Sequence, residues 1–141
     1  MSEHPIRLRA AWEGSDPEDP SSPPFRVSLP ADWRAFPWPS GRPPRRIRLS
    51  RRFGRPPGSG PAAPRARFVL DAAHGVRSIA FNGEPLRWRE PSPGCLRAEL
   101  PELAARNEIV VEIELPPAPA SAWGEAAIVF GDPPATGGRD D

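Results

Sequence analysis

The sequence predicts an all-β fold, an antiparallel β-sandwich of about nine short strands. Three observations carry the prediction. Twenty-three prolines and twelve glycines in 141 residues leave almost no window for a helix of three turns, because proline removes a backbone donor and clashes with the preceding helical turn. Apolar and polar residues alternate with period two through most of the patterned stretches, the mark of half-buried strands. Turn signals recur at roughly 8–12-residue spacing, as in a sandwich or barrel, and nothing supplies the crossover helices that parallel strands need.

The first strand covers residues 6–12, where Ile6, Leu8, Ala10 and Trp12 alternate with Arg7 and Arg9. Residues 14–24 are acidic and rich in serine and proline, and read as a mobile loop. Phe25, Val27 and Leu29 alternate with Arg26 and Ser28, giving a strand that stops at Pro30. Residues 31–44 form a loop in which Trp33, Phe36 and Trp38 are apolar anchors among prolines. In residues 45–53, Ile47, Leu49 and Phe53 share one face while Arg46, Arg48, Ser50 and Arg52 share the other. Arg51 falls on the apolar face and needs a partner or a route to solvent, since an unpaired buried charge is costly. Residues 54–64 make a Gly/Pro/Ala loop, the least ordered internal segment expected.

Residues 65–71 and 76–81 are strands separated by a turn at 72–75. Asn82-Gly83 supplies the positive φ angles of a type I′ turn and joins Phe81 to a strand holding Leu86 and Trp88. Leu96, Ala98 and Leu100 alternate with Arg97 and Glu99, and residues 101–106 are expected to form a single helical turn. Ile109, Val111, Ile113 and Leu115 alternate with Val110, Glu112 and Glu114 in the best strand of the sequence. A proline-rich hinge at 116–120 leads to a closing strand at 124–130. The expected organisation is one domain over residues 4–131 and a disordered tail at 132–141.

The net charge of +1 hides an asymmetry: every basic residue is arginine, and ten arginines with no acid lie between Trp33 and Leu70. Cys95, the single cysteine, excludes an intrachain disulfide and a cysteine-rich zinc site. His4 and His74 are too few for a metal centre or triad, so neither metal nor cofactor is expected. No apolar run resembles a signal-peptide core, and none approaches the ~20 residues of a membrane span. The expectation is a soluble, cytoplasmic protein with no membrane partner.

The order of segments resembles a known family. The carrying pieces are Val27-Ser28-Leu29-Pro30-Ala31-Asp32-Trp33, Arg51-Arg52-Phe53, Val76-Arg77-Ser78-Ile79-Ala80-Phe81-Asn82-Gly83-Glu84-Pro85-Leu86, and Leu103-Ala104-Ala105-Arg106-Asn107-Glu108-Ile109-Val110-Val111-Glu112-Ile113, with Trp123-Gly124-Glu125 entering the final strand. Across residues 25–130 they resemble the sugar-binding-type jelly-roll domain beside the catalytic barrel of family 2 glycoside hydrolases, such as β-galactosidases and β-mannosidases. The resemblance implies a galactose-binding-domain-like jelly roll and an accessory role, since the catalytic acids of those enzymes lie on the barrel.

Catalysis is not expected from the residues themselves. A glycosidase needs two carboxyl groups about 5–9.5 Å apart across the scissile bond, whereas Glu99, Glu112 and Glu114 fall on outward strand faces. Cys95 has no visible general base. Carbohydrate binding needs an aromatic platform, for which Trp38, Trp33 and Trp88 are available. Trp38, between Pro37 and Pro39, is the first candidate for an exposed surface; Trp33 and Trp88 read better as core, as do Trp12 and Trp123. A second function class rests on arginine. Arg46, Arg48 and Arg52 would project from one strand face about 6.7 Å apart along the strand where successive, and Arg87 and Arg89 join them if the strands are neighbours. Such a stripe grips phosphate or carboxylate, or is neutralised by Glu99, Glu112 and Glu114. Asn82 and Asn107 read as turn residues. The expected functions are therefore a non-catalytic module that binds carbohydrate weakly or holds a partner protein, an anion- or nucleic-acid-binding module, or an ancillary subunit of a larger assembly.

Overall fold

A computed structural model describes residues 4–39, 41, 43–55, 65–115 and 122–130. These form eleven strands and no helix: β1 (His4–Arg7), β2 (Trp12–Ser15), β3 (Phe25–Val27), β4 (Arg46–Gly54), β5 (Ala66–Asp71), β6 (Val76–Phe81), β7 (Glu84–Pro85), β8 (Arg89–Ser92), β9 (Cys95–Glu99), β10 (Arg106–Glu114) and β11 (Glu125–Phe130). Two antiparallel sheets make a jelly-roll sandwich, one ordered β1-β11-β5-β9-β8 and the other β3-β2-β4-β10-β6-β7. Of the loop expected at 54–64, Gly54 belongs to β4 and residues 56–64 lie outside the described residues, as do the hinge at 116–120 and the tail at 132–141.

Period-two alternation decides what meets in the middle. Ile109, Val111 and Ile113 of β10 are buried beside Ile47 and Leu49 of β4 and Ile79 and Phe81 of β6. The other sheet contributes Phe68 and Leu70 of β5, Leu96 and Ala98 of β9, and Ile128 of β11 to the same core. Burying each large aliphatic or aromatic side chain is worth about 1.5–3 kcal/mol by transfer, so the central strands supply most of the driving force.

The strand count exceeds the expected nine in two places, each for a physical reason. The N-terminal alternation is shared by two strands in different sheets. The Leu8 amide still donates to the Ala126 carbonyl of β11 at 2.9 Å, then Ala11, at φ 66°, turns the chain over and Trp12 starts β2 in the opposite sheet. The Trp12 indole Nε1 donates back to the Leu8 carbonyl at 2.7 Å and closes the crossing. Leu8 and Trp12 enter one core from either side of the break, so the pattern reads as continuous. The second place is Leu86 and Trp88, which are not strand residues. Residues 86–88 carry the chain from β7, at the edge of one sheet, to β8, at the edge of the other, and both side chains pack half-buried against the core.

One further expectation changes. Residues 101–105 form no helical turn, and Arg106 already belongs to β10; side-chain bonds from Asn107, described below, hold that segment instead. The acidic loop after β2 is tied by Asx turns, in which Asp16 Oδ1 accepts from the Glu18 amide at 2.9 Å and Asp19 Oδ1 from the Ser21 amide at 3.2 Å. Asn82 and Gly83 have φ angles of 51° and 85°, so the β6–β7 hairpin has the predicted turn.

Candidate functional site

The loop between β3 and β4 is fixed at both ends. Ala31 and Trp123 exchange backbone hydrogen bonds of 2.8 Å in both directions, and Asp32 Oδ1 accepts from the Arg34 amide at 3.0 Å. Gly41, at φ 86°, donates its amide to the Trp38 carbonyl at 2.9 Å. Between these ties sits an aromatic cluster. Trp33 is buried, with ring centroids 5.8 Å from Trp123 and 5.7 Å from Phe36. Trp38 stacks on Trp33 at 5.6 Å with an interplanar angle of 24°, and lies 4.7 Å from Phe36 and 5.6 Å from Phe25. A Cβ on Gly14 would overlap the Phe25 ring, so the absence of a side chain there lets Phe25 lie across β2.

Trp38 is therefore a half-buried ring backed by a buried one, not a freely exposed platform. Trp33 is core, and its Nε1 is buried without a hydrogen-bond partner among the described residues. Trp88, half-buried against the core, lies on the crossing from β7 to β8, whereas Trp33 and Trp38 follow β3, at the opposite edge of the six-stranded sheet from β7.

The arginine stripe meets a row of carboxylates. β10 runs beside β4 so that Arg46, Arg48 and Arg52 are the register partners of Glu114, Glu112 and Glu108. Arg48 grips Glu112 Oε2 through Nε at 2.9 Å and Nη2 at 2.8 Å. Arg52 Nε is 3.8 Å from Glu108 Oε2. Glu114 is engaged by Arg77 Nη1 at 2.8 Å, while Arg46 Nε is buried with no partner among the described residues. Arg45 Nη2 meets Glu18 Oε2 at 2.7 Å, and that hydrogen bond, more than the Coulomb attraction of Arg45 and Arg46, holds the Glu18 carboxyl below its ordinary range. Exposed pairs of this kind each contribute little, because solvent screens them, but together they fill much of the stripe with internal counter-charge.

Arg87 and Arg89 do not extend the stripe. Arg89 opens β8 at the far edge of the five-stranded sheet, and Arg87 precedes it. Glu99 likewise belongs to that sheet, beside Arg67 of β5. Arg51 finds its route out of the core: its Nε donates to the Ala10 carbonyl at 2.6 Å and its Nη1 to the Arg52 carbonyl. Sequence reasoning missed Glu108 and Arg106, although both share the outward parity of Glu112 and Glu114 on β10.

At the end of the stripe lies an open cleft of about 480 Å³ lined by Arg52, Phe53, Gly54, Asn82, Arg106, Asn107 and Glu108. The two asparagines brace its floor. Asn107 Oδ1 accepts from the Ala104 amide at 2.9 Å and from Asn82 Nδ2 at 3.2 Å, and its Nδ2 donates to the Ala104 carbonyl at 3.0 Å. Asn82 Oδ1 accepts from the Glu108 amide at 2.7 Å. A smaller depression of about 270 Å³ on the other side of Arg52 is lined by Ala11, Trp12, Glu13, Arg26 and Ser50 together with Arg52. Among the described residues no group of three His, Cys, Asp or Glu side chains is placed to hold a metal ion, and no helix is long and apolar enough to cross a membrane.

No family model matches the chain, and no curated protein matches it. Solved structures do. The fold is similar to part of an FMN-binding β-glucuronidase from Facaelibacterium prausnitzii L2-6, with a TM-score of 0.68 and 20% identity over 92% of this chain and 23% of that one. It is similar to part of a GH2 β-galacturonidase from Eisenbergiella tayi, bound to glycerol, with a TM-score of 0.66 and 13% identity over 91% of this chain and 24% of that one. The chain thus spans about a quarter of the length of these enzymes. At such identities the likeness establishes the fold, the one expected from the order of segments, and fold does not carry activity with it.

Proposed function

We propose that the chain is a non-catalytic binding module that takes carbohydrate weakly at its loop end, with Trp38 as the platform. The observation that carries the reading is the stacking of half-buried Trp38 on buried Trp33 at 24°. A sugar presents an apolar C–H face and a rim of hydroxyls, so its receptor needs a ring held still with polar groups beside it. Trp38 is held by three aromatic neighbours, which lowers the ordering cost of binding. Asp32 and Arg34, with side chains 42% and 64% exposed, supply acceptors and donors on the same loop. One platform makes for weak binding.

The absence of catalysis in this reading is supported by how the outward carboxylates are used. Glu108, Glu112 and Glu114 face arginines across a sheet surface, whereas glycoside hydrolysis needs two carboxyl groups opposed across a bound bond. The similarity to about a quarter of two enzymes named for acting on acidic sugars fits an accessory piece of such machinery. The test is a glycan array followed by tryptophan fluorescence titration with the best hits, in the native chain and Trp38→Ala. Binding that saturates and is lost in Trp38→Ala supports the proposal. An empty array with unchanged fluorescence, or full binding by Trp38→Ala, overturns it.

A further inference from the structure

Four outward positions at the end of the β4–β10 ladder form a square: Arg52 and Gly54 on one strand, Glu108 and Arg106 on the other. Arg52 faces Glu108, and Gly54 faces Arg106. Each arginine of the β4 stripe has a carboxylate as its register partner on β10, but at the last rung Gly54 leaves Arg106 of β10 without one. Among the described residues no ion pair or hydrogen bond engages the Arg106 side chain. Arg52 is held only loosely, 3.8 Å from Glu108, with its side chain 87% exposed. Two guanidinium groups and one carboxylate thus line the cleft of about 480 Å³.

We infer that this cleft is an oxyanion site in which Arg106 and Arg52 grip a carboxylate or phosphate group over Gly54. Guanidinium is suited to the task because its planar fork offers parallel donors to a pair of oxygens. The site is distinct from the Trp38 platform, and it differs from an anion-binding stripe along the whole of β4, because Arg48 is already bound to Glu112. The floor is rigid: Asn82 and Asn107 bond to each other and to the backbone of residues 104 and 108. A ligand therefore meets a formed cleft with one surplus positive charge and two exposed arms.

Gly54 also provides the test. Among the described residues a Cβ built there meets only the Ala105 carbonyl oxygen, at 3.7 Å, and its φ lies outside the left-handed region. Gly54→Glu therefore fits, and it places an internal counter-ion opposite Arg106. Side-chain Nε–Hε signals of the arginines are followed by NMR while sodium phosphate or sodium glucuronate is added at constant ionic strength. Saturable shifts at Arg52 and Arg106 are expected with at least one probe; phosphate alone would identify a phosphate ligand, and glucuronate alone a carboxylate ligand. Arg106→Ala and Gly54→Glu should each weaken that binding by about tenfold or more, the scale of a charge-assisted hydrogen bond. Trp38→Ala should leave it unchanged, which keeps this result separate from the carbohydrate test. Saturation by neither probe, shifts spread evenly over the arginines, or native affinity in either cleft variant overturns the inference.

Discussion

Asn107 is the one polar side chain buried among the described residues, at 3% exposure. Its amide does the work that a helical turn at 101–106 would have done. Oδ1 and Nδ2 satisfy the amide and carbonyl of Ala104, and a longer bond of 3.4 Å reaches the Phe53 carbonyl on β4. One side chain thereby fixes the loop before β10, the end of β4 and the β6–β7 hairpin through Asn82. Replacing it leaves several backbone groups without partners, and each buried orphan costs about 1–3 kcal/mol. Asn107→Ala is therefore expected to lower unfolding free energy by at least about 1–3 kcal/mol, read as a reduced urea midpoint with an unchanged slope; an unshifted midpoint would show that water replaces the amide. The sequence marks Asn107 as a turn residue by its place before a strong strand. It cannot show that the partners come from residues 53 and 82, because those contacts exist only after the sheet has assembled.

Strands are legible one at a time, whereas their sheets are not. β10, β4 and β5 announce themselves by alternation, and Asn82-Gly83 fixes a hairpin, because both signals are local. Which sheet a strand joins is decided by crossings that keep the same alternation, as at Leu8 to Trp12, and that is why β1 and β2 read as one. The prolines that excluded helices gain a second role at this scale. The four edge strands are β1, β8, β3 and β7; Pro5, Pro91 and Pro85 lie in three of them, and Pro23 and Pro24 precede β3. The amides of Leu8 and Leu86 donate inward, to Ala126 and Ile79, so by alternation the donor-less nitrogens of Pro5 and Pro85 face the open side. An exposed strand edge invites pairing with another chain, and proline on it removes a donor. Pro5→Val with Pro85→Val should therefore raise self-association with concentration, as sedimentation velocity would show; a double variant that sediments like the native chain would mean that strand shortness alone protects the edges.

Charge and core are arranged separately across the whole molecule. The charges of a near-neutral chain meet across its strands and loops: Arg45 with Glu18, Arg48 with Glu112, Arg77 with Glu114, and Arg97 with Asp71 at 2.7 Å. Composition made the arginine excess visible but not its neutralisation, because the pairs join residues tens of positions apart. The aromatic loop end has the same non-local character. Trp33 comes from the β3–β4 loop and Trp123 from the entry to β11, whose Nε1 donates to the His74 carbonyl at 2.9 Å before β6. Residues that lead into both sheets are thus packed into one cluster continuous with the central core. Neither sheet can keep its inner face buried without the other, so small-domain cooperativity should hold. Tryptophan fluorescence, which reports Trp12, Trp33, Trp38 and Trp123 as well as Trp88, and far-UV circular dichroism, which reports the strand ladders, should give superimposable urea transitions. If fluorescence changed at clearly lower denaturant than dichroism, the loop end would open as a separate unit, and the ring that backs Trp38 would not be held by the sandwich.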